Sequence, residues 1–320
     1  MPDLAHPVKL RPRYLAKPWG GRRMETVLGR ELPGDEPIGE CWLVHDRDGD
    51  SSEIVGGPLD GTRIAELRGD RPFPLLVKLL DSETPLSVQV HPDEDAARQL
   101  GGEAKTECWF VLHAEPGARV YRGLVDGCGE DDLRAALARG DVASCLHSFE
   151  VRPGDTVFVP AGTVHTIGAG VLLAEVQENS DTTYRLHDWG RLGLDGLPRD
   201  LHVEEALSSI RFGERSDDTI PAQQIEDEGS VRRVLLVRSR PFTAEHVTLT
   251  GTVTLEVPPS RDGTWRVLHV LAGQGHLQAF ERGTPAVPFR PGDTILLPAR
   301  HDAFEIEAGA SVLRALVFAR

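Results

Sequence analysis

The decapeptide Val151-Arg-Pro-Gly-Asp-Thr-Val-Phe-Val-Pro160 recurs, slightly altered, as Phe289-Arg-Pro-Gly-Asp-Thr-Ile-Leu-Leu-Pro298. Each copy reads as a Pro-Gly-Asp turn feeding an apolar strand that stops at a proline. Each follows a strand with a Gly turn, Phe110 to Gly123 before the first copy and Val270 to Gly275 before the second. Working outward, 33 glycines and 23 prolines punctuate many short β-like runs. Leu75-Leu80, Leu86-Val90, Cys108-His113, Arg119-Leu124, Thr156-Val159, Leu172-Gln177 and Thr183-Leu186 are the strand candidates of the first half. Val231-Val237, Phe242-Leu249, Trp265-Ala272, Thr294-Leu297 and Val312-Phe318 continue the pattern. Three segments are predicted helical: Asp93-Leu100 after a proline, Asp131-Arg139 with an acidic start and Gly140 at its end, and Val203-Ile210 with helical apolar spacing.

The expected fold is therefore all-β dominated. The cadence resembles the double-stranded β-helix of cupin jelly rolls, in two cupin-like modules with a small helical insertion. The boundaries read as 1–213 for the first module, 214–230 for a polar linker and 231–320 for the C-terminal module. A 320-residue chain that is 40% hydrophobic can bury a core of that size. Its net charge of −15 argues against nucleic acid and anionic membranes as partners. An anionic small substrate would need a local basic pocket. Cys41, Cys108, Cys128 and Cys145 form no CxxC pair and read as reduced thiols of a cytoplasmic protein. Met1 to Lys17 lacks the apolar stretch of a signal peptide, and no apolar run approaches the length of a membrane span.

The two copies part company where chemistry would sit. The first continues Pro160-Ala-Gly-Thr-Val-His165; the second continues Pro298-Ala-Arg-His-Asp-Ala303, which puts His301 out of register by two. Upstream of the first copy lie Gln89 and His91, two apart in Ser87-Val-Gln-Val-His91, so a strand points both to one face. Glu107 lies in a further strand-like run. Two imidazoles, one carboxylate and one amide suit a zinc-like ion with room for water or substrate. Taken singly, each of these residues reads as an ordinary strand or turn residue; taken together they favour a metal. The second module, with no Gln-x-His or matching Glu, reads as metal-free and structural.

Other residues carry an alternative each. Asp181 and Arg185 are a surface ion pair, or an oriented guanidinium that holds an anionic oxygen. Lys105 is a solvated lysine, or an ammonium on the metal's face whose like charge favours loss of its proton and service as a base. Lys78 interrupts an apolar run, so it pairs with a carboxylate or faces a pocket. Trp19 lines a sugar face or packs a loop. Glu40 is a pocket wall or an exposed strand end.

These residues occur in six ordered motifs: Trp19-Gly-Gly21, Gly39-Glu-Cys-Trp42, Leu86-Ser-Val-Gln-Val-His-Pro92, Lys105-Thr-Glu-Cys-Trp109, Pro160-Ala-Gly-Thr-Val-His165 and Glu178-Asn-Ser-Asp-Thr-Thr-Tyr-Arg185. Together they resemble type I mannose-6-phosphate isomerases of the short bacterial class. The resemblance implies a metal-dependent aldose–ketose isomerase acting on a phosphorylated hexose through a cis-enediol(ate). It implies one Zn²⁺ per chain on Gln89, His91, Glu107 and His165, with Arg185, Lys105 and Asp181 catalytic. Ser87 and Lys78 are the candidates for the phosphate. The longer family members' Asn-His-Lys-Pro-Glu run is here only Glu103-Ala-Lys-Thr-Glu107. The rival readings are an iron-dependent oxygenase of the same fold and a non-catalytic sugar-binding cupin.

Overall fold

The structure, a computed structural model, describes residues 4–47, 49–214, 217–259, 263–281, 283–309 and 312–320. Its two Arg-Pro-Gly-Asp segments are turns of one design. In the first, Asp155 N donates to Arg152 O at 3.0 Å and Arg152 N donates to Asp155 Oδ2 at 2.7 Å. Arg290 and Asp293 repeat both bonds at 3.1 Å. Gly154 and Gly292 sit at φ +96° and +91°, the third-position geometry that glycine adopts without steric cost. Their N–H groups reach 2.8 Å to Val111 O and Val270 O. Each turn thus ties the strand that follows it to an antiparallel neighbour, Thr156–Val159 to Glu107–Ala114 and Thr294–Leu297 to Arg266–Ala272.

The chain forms two compact units. The site unit comprises Tyr14–Cys41 and Leu79–Ile220; the second unit comprises Met1–Arg13, Trp42–Lys78 and Pro221–Arg320. These bounds differ from 1–213 and 231–320. The reason is non-local pairing: Val8–Leu10 pairs with Thr294–Leu297 and with Ile54–Val55. The stretch expected as a linker carries a strand, Gln223–Glu228, paired with Val231–Arg238; residues 215 and 216 lie outside the described ones.

Two sheets make the site unit. One runs in the order Leu146–Glu150, Arg119–Leu124, His165–Ile167, Val88–Val90, Tyr184–His187. The other places Thr156–Val159, Glu107–Ala114 and Val171–Glu178 side by side. Val120, Phe149 and Ile167 of the first sheet share a buried cluster with Trp109, Val111, Val157 and Leu173 of the second. Each such side chain, fully buried, stabilises the fold by about 1.5–3 kcal/mol. Strand alternation sends Val88 and Val90 to the other face. There they pack with Leu133 and Ala136 of helix Glu130–Arg139 and with Ala206 and Leu207 of helix Val203–Ser209. Gln89 is left pointing into the space between the sheets. Helix Glu94–Leu100 starts one residue later than the sequence predicts, with Asp93 as its cap, accepting from Asp95 N and Ala96 N at 3.0 and 2.9 Å.

The second unit has an eight-stranded and a four-stranded sheet. Its apolar core includes Leu268, Val270, Ile295, Leu297, Phe304 and Val317. The repeat fixes the correspondence between units. Val159 pairs with Glu107, and Leu297, one residue before the matching proline, pairs with Arg266. Arg266 therefore stands in the place of Glu107. Ala303 opens strand Ala303–Ala308 as His165 opens His165–Ile167, each five residues past its proline.

Candidate metal centre

Register builds the site. Arg122 pairs with His165, His165 with Gln89 and Gln89 with Arg185, so four neighbouring strands put four polar side chains in one row. The facing sheet contributes Glu107, the first residue of its strand, and Trp109 two residues on. His91 follows Gln89 by two and reaches the same space. Gly162, at φ +86°, makes the turn before His165 and donates its N–H to His91 O at 2.7 Å. That bond ties the two histidine segments together.

His91, Glu107 and His165 are each 1% exposed, and their ligand atoms lie within 4.8 Å of one another. Among the described residues this is the one group of three or more such side chains placed to hold a metal ion. His91 Nδ1 lies 2.8 Å from Thr182 O and His165 Nδ1 lies 2.9 Å from Thr163 O. A carbonyl only accepts, so each Nδ1 carries the proton and each Nε2 offers a lone pair. His91 Nε2 is 3.1 Å from Glu107 Oε1, and His165 Nε2 is 3.7 Å from Glu107 Oε2. Lys105 Nζ stands 2.7 Å from Glu107 Oε1 as an ion pair and 3.3 Å from His91 Nε2. Glu107 Oε1 nevertheless receives no aligned hydrogen bond.

Charge follows from burial. Desolvation, reinforced by the Lys105 ammonium, pushes the His91 imidazole down to about 3. Desolvation likewise lowers His165. Burial works upward on Glu107, but the Lys105 ammonium beside it outweighs burial and holds the carboxyl well below its usual range. Both histidines are thus neutral and Glu107 anionic at pH 7. Two imidazole lone pairs, an ionised carboxylate and a buried oxygen lacking a directed donor fit a borderline divalent ion such as zinc. Gln89 directs Nε2 at His165 Nε2 over 3.3 Å, while its Oε1 accepts from Ser87 Oγ at 3.0 Å. A half-turn of the amide would present Oε1 to the site and keep the serine contact with donor and acceptor exchanged.

A family model described as phosphomannose isomerase type I, catalytic domain, matches residues 8–108. A mannose-6-phosphate isomerase of Streptococcus mutans is 31% identical, over 97% of this chain and 98% of its own. A second, from Bacillus subtilis, is 32% identical over 96% and 98%. The chain belongs to the type I phosphomannose isomerase family. The crystal structure of the Bacillus subtilis mannose 6-phosphate isomerase superposes with a TM-score of 0.85 at 29% identity, covering 98% of this chain and 99% of that one. The family match includes Gln89, His91, Lys105 and Glu107, whereas His165 and Arg185 lie beyond it.

Not every residue singled out from the sequence reaches the site. Lys105 does, and Arg185 does, half-buried opposite Gln89 with Nε lacking a partner. Burial, then the charge of Arg199, lowers the Arg185 pKa, while Asp188 and Asp200 oppose the shift. Asp181 is exposed, in the loop before Arg185's strand. Trp19 is 4% exposed and packs in the apolar cluster with Leu80, Leu86 and Trp109. A Cβ on Gly39 would fall 2.8 Å from its ring, which explains the glycine there. Glu40 pairs with Lys17 at 2.9 Å. Lys78 belongs to the second unit, its Nζ 5.8 Å from the centre of the Trp42 ring. Ser87 is buried on Gln89.

The structure adds residues that the sequence reading missed. Arg122, beside His165, donates from Nε to Phe158 O at 2.6 Å and from Nη1 to Asp217 O at 3.1 Å. Trp109 and Glu175 complete the wall behind Glu107. Strand alternation alone could have placed Trp109 on the face of Glu107 and Arg122 on that of Val120; the pairing of Arg122 with His165 comes only from the fold.

Proposed function

We propose that the protein interconverts mannose 6-phosphate and fructose 6-phosphate, binding one zinc ion per chain through Gln89, His91, Glu107 and His165. The observation that carries this reading is the buried His91–Glu107–His165 group with Lys105 against it and Arg185 in the same row. Kinship to mannose-6-phosphate isomerases over nearly the whole chain supports it.

The reaction opens the sugar ring, takes the proton from C2 and returns one to C1 through a cis-enediol(ate), while O2 loses a proton and O1 gains one. Zinc, when bound, supplies Lewis acidity to the substrate oxygens. Lys105 is the group placed to carry the carbon-bound proton, as a buried amine beside the ligand set. Arg185 offers N–H donors where negative charge develops, and its unbonded Nε is free to serve. Asp181, exposed, is the weaker choice of base. With a net charge of −15 on the chain, Lys105, Arg185 and Arg122 make the row locally positive. That polarity suits a phosphorylated hexose and its enediolate.

The test incubates the zinc-loaded protein with mannose 6-phosphate in deuterium oxide and follows fructose 6-phosphate. The expected result is conversion with deuterium entering at C1. Oxygen uptake on a sugar substrate, or tight sugar-phosphate binding without turnover, would overturn the proposal.

A further inference from the structure

Trp109 is 1% exposed and touches two of the three residues of the metal-type group. Its indole Nε1 donates to Glu107 Oε2 at 3.3 Å and to Glu175 Oε2 at 3.0 Å, one N–H shared between two carboxylates. Its ring meets the His165 ring edge-on, with centroids 5.5 Å apart. Glu175 is 3% exposed and directly opposite Trp109 on the neighbouring strand. The two oxygens of Glu107 are thereby divided. Oε2 is held by the indole, and Oε1 faces His91 Nε2 and Lys105 Nζ.

The second unit shows what this strand position requires for packing alone. By the register of the repeat, Trp109 corresponds to Leu268, opposite Ile295 as Trp109 is opposite Val157. Glu175 corresponds to Val317, opposite Leu268. Both replacements are apolar and buried in the core cluster. Where Arg266 replaces Glu107, the indole N–H and the second carboxylate are gone as well.

We propose that Trp109 is a positioning residue for the metal ligand Glu107, its N–H fixing Oε2 against Glu175 so that Oε1 is presented toward His91 Nε2 and Lys105 Nζ. The proposal rests on the reading of His91, Glu107 and His165 as metal ligands. A carboxylate free to rotate about its last torsion spends part of its time turned away from the ion; a hydrogen bond on the far oxygen removes that freedom. If the indole merely needed an acceptor, Glu175 at the shorter distance would suffice, and Glu107 would be indifferent to its loss.

The test is Trp109→Phe, which keeps an aromatic ring and removes the N–H. Zinc affinity is measured by competition with a chromophoric chelator, and thermal unfolding is followed with and without zinc. A roughly 10–100-fold loss of affinity is expected, with a smaller zinc-induced rise in Tm than in the unmodified chain. Equal affinities within twofold, with Tm lowered equally in both forms, would overturn the proposal and leave a packing role. The unmodified chain gives an independent measurement that does not depend on the variant folding. Among the indole ¹⁵N–¹H signals of its five tryptophans, the one assigned to Trp109 should move on zinc addition. An unmoved signal also overturns the proposal. A chain that binds no zinc at all would instead remove the metal reading, and the positioning role with it.

Discussion

The site unit and the second unit are built on the same turn, with the same hydrogen bonds and the same positive-φ glycine, yet among the described residues only the first holds a metal-type group. Where the first has Glu107, Trp109, Glu175 and His165, the second has Arg266, Leu268, Val317 and Ala303. Arg266 is fully buried, and its Nη2 donates to the backbone carbonyls of Pro298 and His301. A fixed guanidinium in the carboxylate's place repels a metal ion, and apolar side chains fill the rest. The scaffold specifies where interior side chains point; a handful of positions decide whether that interior holds chemistry or packing.

That comparison can be broken most forcefully at Arg185. If it stabilises the enediolate, Arg185→Ala should lower kcat by ~10²–10³ with KM little changed. A raised KM with kcat intact, in steady-state kinetics on mannose 6-phosphate, would make it a binder of the phosphate instead. The shared turns give the next effect. Gly154→Ala and Gly292→Ala each force a Cβ into the left-handed region and should each cost about 1 kcal/mol in denaturant unfolding. A large cost in one turn and none in the other would show that the two are not equivalent supports.

A third, more graded effect is with pH, in the metal-free protein. His91 titrates near 3 when folded, and His165 is lowered too, against about 6.5 for an unfolded histidine. Groups depressed on folding contribute stability above the unfolded value, and that contribution is lost as pH falls toward the folded one. The urea midpoint should therefore fall as pH drops from about 6.5 toward 3. His45 and His246 of the second unit, both lowered chiefly by burial, act in the same sense. Replacing His91 by Asn should make the decline shallower; an unchanged slope would sink the assignment to His91. The smallest effect is expected at Arg266→Met, which should leave zinc content and kcat unchanged, because Arg266 belongs to the second unit and not to the His91–Glu107–His165 group.

Much of this was legible in the sequence, for local reasons. The Arg-Pro-Gly-Asp turns, the alternation that turns Gln89 and His91 together, and the helix after Pro92 each depend on residues within a few positions of one another. Lys105 and Glu107 were legible the same way. What the sequence hid depends on distant partners. Nothing near Val8–Leu10 indicates that it pairs with Thr294–Leu297, so the compact units have bounds that no local reading gives. Trp19, between Pro18 and Gly20, carries no local sign of its neighbours, and its packing with Leu80 and Leu86 comes only from the fold. The carbonyls of Thr163 and Thr182, which set both histidine tautomers, have no side-chain signature at all. Arg266 in the place of Glu107 could have been found by carrying the repeat one strand upstream, from Val111 and Val270 to the residues four positions before them.

The most direct measurement is the metal content of the purified chain together with its turnover of mannose 6-phosphate, before chelation, after chelation and after zinc is returned. The account predicts one zinc per chain, activity lost with it and restored with it, and neither zinc nor activity in His165→Ala that remains folded. Two ions per chain, or undiminished turnover in the chelated protein or in His165→Ala, would contradict it.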